Sequence, residues 1–224
     1  MIRDRLYYWE RPMVTFAVEN TLFRVPRKQF EQSPVFRDLF SLPLLGSQAE
    51  GSSDDRPIHL ESINKDEFRS LLMVIYPENS ERKRPDSQDE WLSILKLATM
   101  WEFDDIKERA IVESTKEMSQ KTPLERIALA VKYNVPRWLL DAYTALVQQD
   151  NPLTRNEVDA LGHETVYQLL QLREQSYREV SRYGNRYGSR NFQGVEGKIV
   201  RALYERFTDI GYRESIDTIP EPLN

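Results

Sequence analysis

The chain has no cysteine among its 224 residues. That excludes disulfides, thiolate nucleophiles and every zinc site built on sulfur. Histidine is nearly as scarce: His59 and His163 are the only two, far apart and without H-x-x-x-H or H-E-x-x-H spacing, so a metal site has little to stand on. No G-x-G-x-x-G, G-x-x-x-x-G-K-[ST] or G-x-S-x-G stretch occurs, which leaves nucleotide-dependent and serine-hydrolase chemistry without a motif and no cofactor implied. The longest apolar run is Leu71–Tyr76, far below the roughly 20 residues of a membrane helix. The first residues carry Arg3, Asp4 and Arg5 and no apolar stretch, so no signal peptide is read there and an intracellular, cytoplasmic or nuclear, setting is expected. A net charge of −5 argues against a nucleic-acid binder as a whole.

What is present is dense punctuation. Val14, Phe16 and Val18 alternate with Thr15 and Ala17, and Phe23 and Val25 continue the alternation after Glu19-Asn20. Asn tolerates the positive φ that a two-residue turn needs, so these residues predict a β-hairpin, which Pro26 ends. Ser33-Pro34 has the form of a helix start, with Ser as N-cap and Pro in the first helical position. Val35, Phe36, Leu39 and Phe40 then share one face. Residues 44–57 form a polar loop, and Ile58–Leu60 a short strand.

From Asn64 onward helices dominate. Asn64 with Glu67, Ser87 with Glu90, Thr122 with Glu125 and Thr154 with Glu157 all have capping-box spacing ahead of apolar periodic runs. Trp91 and Trp101 sit at helical spacing and predict core positions. Pro136 biases Val135 away from helix and marks a turn before the helix that opens with Trp138. Carboxylates lie at helix starts and on polar faces, where capping and the helix dipole account for them. Residues 177–198, rich in Gly, Ser, Asn, Arg and Tyr, read as a linker, followed by a short amphipathic helix through Ile199, Val200, Leu203, Tyr204 and Phe207 and a loose tail to residue 224. Tyr177–Arg201 holds six basic residues against two acidic ones. Interleaved Arg and Tyr in Arg182–Phe192 can stack bases and pair phosphates, which keeps a regulatory protein with a nucleic-acid contact as the alternative to a solubilising linker.

Four stretches in order carry a family resemblance. "VTFAVENTLFRVPRKQFEQSPVFRDLF" resembles the opening of a BTB/POZ domain, "PIHLESINKDEFRSLLMVIYP" its next strand and helix, and "EWLSILKLATMWEFDDIKERAI" its final helical hairpin. "PLTRNEVDALGHETVYQLLQLRE" is similar to a segment that recurs in the large group of fungal BTB-domain proteins. The resemblance spans Pro12–Glu174 and implies an α+β BTB/POZ fold, a small mixed sheet capped by helices, with an all-α C-terminal extension. The expected layout is a BTB/POZ domain over 12–118, a helical extension of the BACK or three-box kind over 119–176, the linker over 177–198, and the short helix and tail over 199–224.

The resemblance also implies what the chain does. BTB domains are interaction modules rather than enzymes. Many dimerise, and some deliver substrates to a cullin-type ubiquitin ligase scaffold, gripping it with the loop after the third helix, the final helical hairpin and a helix pair beyond. By position these are Tyr76, Pro77 and Glu78; Phe103, Asp104 and Asp105; and the pair Thr122–Val147. Trp138, at a helix start after Pro136, is a candidate anchor or a core residue, with the core the favoured reading. The expected partners are other proteins, a cullin-type scaffold or a second copy, with no membrane. Two readings stay open for Tyr76–Glu78: a contact with the scaffold, or a helix stop made by Pro77.

Overall fold

The computed structural model describes residues 12–42, 50–77, 84–182, 192 and 194–210, with the side chains of 177–182 left aside. Two compact units divide at Lys116/Glu117.

In the first unit, β1 (Met13–Val18) and β2 (Thr21–Pro26) form an antiparallel hairpin, with Phe16 opposite Phe23 and Val18 opposite Thr21. Glu19 takes φ 52° at the turn. β3 (Ile58–His59) pairs parallel to β1, giving the mixed order β2-β1-β3. As the central strand, β1 buries both faces: Val14, Thr15, Phe16, Ala17 and Val18 are all inside. Of the polar loop before β3, residues 50–57 are described, and they are held to the sheet. Thr15 donates its amide to the Gly51 carbonyl at 2.8 Å, and the Gly51 amide donates to Arg56 at 2.6 Å.

Five helices accompany the sheet: α1 (Arg27–Phe30), α2 (Pro34–Ser41), α3 (Lys65–Ile75), α4 (Gln88–Met100) and α5 (Asp104–Thr115). The two short ones exist to deliver Phe30 and Phe36 into one aromatic cluster. The Phe16 ring lies 4.8 Å from Phe30, 5.7 Å from Phe36 and 5.5 Å from Phe68. Trp101 closes the cluster at 5.2 Å from Phe36. Edge-to-face pairs of this kind add about 0.5–1.5 kcal/mol each beyond burial. Ser33 caps α2 by accepting from the Phe36 amide at 3.1 Å.

The Ser87–Glu90 capping box is complete. The one expected at Asn64–Glu67 is not. Asn64 accepts from the Asp66 amide at 2.8 Å, while the Glu67 carboxylate turns away to the Lys96 ammonium of α4 at 2.7 Å. The described residues ahead of α4, 84–87, form no strand, and α4 starts at Gln88.

The second unit opens with a single turn at Met118–Gln120. It continues with α6 (Pro123–Tyr133), α7 (Pro136–Gln148), α8 (Arg155–Leu161), α9 (His163–Arg182), α10 (Val195–Ala202) and α11 (Tyr204–Thr208). α6 and α8 both start with complete capping boxes, at Thr122–Glu125 and Thr154–Glu157. Asn134 ends α6 in the left-handed region, φ 53° and ψ 54°, and Pro136 starts α7. Arg173 of α9 is buried, donating to the Leu146 carbonyl at 2.7 Å and the Asn151 carbonyl at 2.9 Å, which satisfies the end of α7 with a cation from its neighbour.

Two boundaries move. α9 runs to Arg182, so the first six residues of the expected linker are helix. Tyr177–Arg182 contains no Gly or Pro, and nothing local stops the helix before Gly184. The last helical segment starts at Val195 rather than Ile199, taking Gly197 into its interior.

Candidate functional site

The first unit has a groove built from three elements. Gln29 and Gln32 come from α1 and the turn after it, Val74 and Ile75 from the last turn of α3, and Asp105, Ile106 and Arg109 from the first turns of α5. Val74, Ile75 and Ile106 are half-buried and give an apolar floor; Asp105 and Arg109 are exposed, one helical turn apart, and give a rim of both signs. Arg109 also sits over the Trp91 ring, 5.5 Å from its centroid. Gln29 contributes a buried Oε1 with no hydrogen-bond partner. A buried acceptor in that state is costly unless water or a bound group donates to it.

Tyr76 sets the position of this groove. It follows α3 and closes its end, donating its amide to the Leu72 carbonyl at 2.9 Å. Its hydroxyl donates to the Pro26 carbonyl at 2.5 Å, tying the end of α3 to the junction of β2 and α1. Burial pushes the phenol well above its ordinary pKa, so it remains a donor throughout the physiological range.

Comparison with known proteins bears on this unit. Residues 14–117 match the family model of the BTB/POZ domain. No curated protein and no solved structure matches the chain. Residues 14–117 are a BTB/POZ domain. BTB/POZ domains are protein–protein interaction modules and in general non-enzymatic, so the surface to look for is one that receives another protein.

The residues expected from the sequence to touch a partner divide within the BTB/POZ domain. Asp104 and Asp105 are exposed in the first turn of α5, where they also favour the helix dipole, since Phe103 supplies no side-chain cap. Asp105 shares its groove with Ile75, so the ends of α3 and α5 do come together. Phe103 is a correction: it is 3% exposed, with its ring 5.9 Å from Phe30 and 6.1 Å from Phe36, and belongs to the core. Pro77 is exposed, Tyr76 is half-buried and structural, and Glu78 lies outside the described residues.

Of the two roles open to Trp138, in the second unit, the structure gives the core one: at 1% exposure it fills that unit's interior and is not an exposed anchor. Aromatic residues at helical spacing have the same signature in a core and at an interface, so only burial separates them. Trp91 and Trp101 are buried as expected.

His59 and His163 are exposed, and no group of three or more metal-ligating side chains gathers among the described residues. No helix among them is long and apolar enough to cross a membrane. The Arg/Tyr tract falls outside the described residues except for Arg182 and Phe192. Sequence reasoning missed Gln29, Gln32 and Arg109; their only signal was proximity to the predicted short helix and final hairpin.

Proposed function

We propose that the protein is a non-catalytic adaptor whose BTB/POZ domain offers the groove between α1, the end of α3 and the start of α5 to a cullin-type ubiquitin ligase scaffold. The observation that carries the reading is the groove itself, with Val74, Ile75 and Ile106 as an apolar floor and Asp105 and Arg109 as a rim of both signs. Apolar side chains of the scaffold would cover Val74 and Ile106 while charged ones meet Asp105 and Arg109. The test is calorimetric titration of the full chain with the N-terminal repeat domain of the cullin scaffold of the same organism. Binding at micromolar strength or better, weakened at least ~10-fold by Asp105→Lys or Val74→Asp, is the expected result. No heat and no complex, with circular dichroism showing folded protein, overturns the scaffold reading.

Self-association is the second reading. It is favoured by β2, which has no strand on its outer side among the described residues and exposes 49% of Leu22. Gel filtration with light scattering decides it: a dimer that dissociates in Leu22→Lys supports pairing at that edge, and a monomer at all concentrations removes it.

A further inference from the structure

Among the described residues, the last two helices of the second unit owe little of their order to themselves. α10 has eight residues and α11 five, against the ~12–15 that an isolated helix needs to be even marginal in water. Gly197 lies inside α10, and Leu203, at φ −115° and ψ 28°, breaks the run between them. Neither start has a side-chain cap, whereas α6 and α8 start with reciprocal ones. Yet Ile199 and Phe207 are 0% and 1% exposed, and Val195, Val200 and Leu203 are buried with them. The order is supplied by α7 and α9, on both of which α10 packs. The Phe207 ring stands edge-on to Tyr143 at 6.2 Å, and Arg137 of α7 reaches the Glu196 carboxylate at 3.3 Å.

The segment therefore has the properties of a bound ligand: an apolar face that fits, a polar anchor in Glu196, and a sequence that forms poor helix elsewhere. Twelve residues, 183–194, join it to α9, and an extended chain of that length spans at most ~40 Å. We propose that α7 and α9 form a receiving groove for a short amphipathic helix, occupied in cis by α10–α11 and taken over by a helix of a partner protein. That helix has apolar residues at the spacing of Val195, Ile199, Val200, Leu203 and Phe207 and an acid directly after the first, facing Arg137. A partner helix with an N-cap and no interior glycine competes well, because the resident segment has no side-chain cap and carries Gly197. This surface is separate from the groove of the BTB/POZ domain and does not rest on the identity of that domain's partner.

The test keeps every residue of the second unit's helices in place. A protease site replaces residues 185–190 of the full chain and is cut after folding. A fluorescent peptide of residues 194–210 is then added and followed by anisotropy. The expected result is that the cut piece still co-elutes with the body and exchanges with the peptide. The uncut chain should capture the peptide at least ~100-fold more weakly, because the tethered segment competes at millimolar effective concentration. A peptide carrying Ile199→Asp and Phe207→Asp should not enter. One carrying Glu196→Arg should enter two- to fivefold more weakly, and regain strength on a cut chain carrying Arg137→Glu. Loss of helix in the body on cutting, absence of exchange over a day, or equal capture by cut and uncut chain overturns the proposal. So does an uncut chain that forms dimers exchanging their tails, since the occupant is then a second copy.

Discussion

The Ser33 hydroxyl donates to the main-chain carbonyl of Trp101 at 2.5 Å, across 68 residues of sequence, while accepting from the Phe36 amide. One side chain thus caps α2 and fastens it to the end of α4. Ser33→Ala removes the cap and leaves a buried carbonyl unpaired, for an expected loss of ~2–3 kcal/mol, summing typical cap and buried-acceptor costs. Urea denaturation measures it. A loss below ~0.5 kcal/mol would mean that the hydroxyl does not join the two helices.

Gly51 is the tight point of the loop before β3. Its φ is +80°, and a Cβ there would stand 2.9 Å from both Ile58 Cδ1 and Val14 Cγ2. Gly51→Ala combines left-handed strain with overpacking against β1, for an expected ~2–4 kcal/mol. Gly162, with φ +80° and nothing within 4 Å of its would-be Cβ, is the control, where Ala should cost only the backbone term of ~1–2 kcal/mol. Thermal melts of the two variants check the order; equal losses would remove the packing argument.

What could be seen in the sequence was local. Ser33-Pro34 and the reciprocal pairs at Ser87, Thr122 and Thr154 each involve atoms within three residues, so spacing alone reports them. Asn64–Glu67 has the same spacing, but Lys96, on a different helix, captures the carboxylate, and nothing near Glu67 announces that. Phe103 was a candidate through family position and Trp138 through its place at a helix start, and neither signal says whether protein or partner covers the side chain. The groove was half legible. Asp105 followed from family position, whereas the Gln29 acceptor depends on how α1 turns after Pro26.

Tyr76 separates structural from binding effects near the groove. Tyr76→Phe keeps the ring and removes only the donor to the Pro26 carbonyl, so stability should fall by ~1–2 kcal/mol. Asp105→Lys, at an exposed position, should leave stability within ~0.5 kcal/mol and change partner binding instead. Chemical denaturation and calorimetry on the same two proteins give the four numbers needed. If Tyr76→Phe abolishes partner binding without loss of stability, the hydroxyl belongs to the interface and not to the fold.

The cap of α6 makes stability respond to acid. Glu125 accepts from the Thr122 amide at 2.7 Å and from the Thr122 hydroxyl at 2.9 Å. Those bonds to Thr122, backbone first and side chain second, hold its pKa below the ordinary glutamate value, with Lys121 adding a smaller pull against a slight desolvation. A carboxyl whose folded pKa is depressed contributes stability above its unfolded pKa and loses it as pH falls through the folded one. The second unit should therefore soften from about pH 4.5 downward, Glu125 being one contributor. Glu125→Gln keeps an acceptor for the amide but cannot titrate. Hydrogen exchange of the amides at the start of α6, followed between pH 7 and pH 3, should show protection falling in the wild type and staying flatter in the variant. Equal slopes would assign the acid response to other carboxylates.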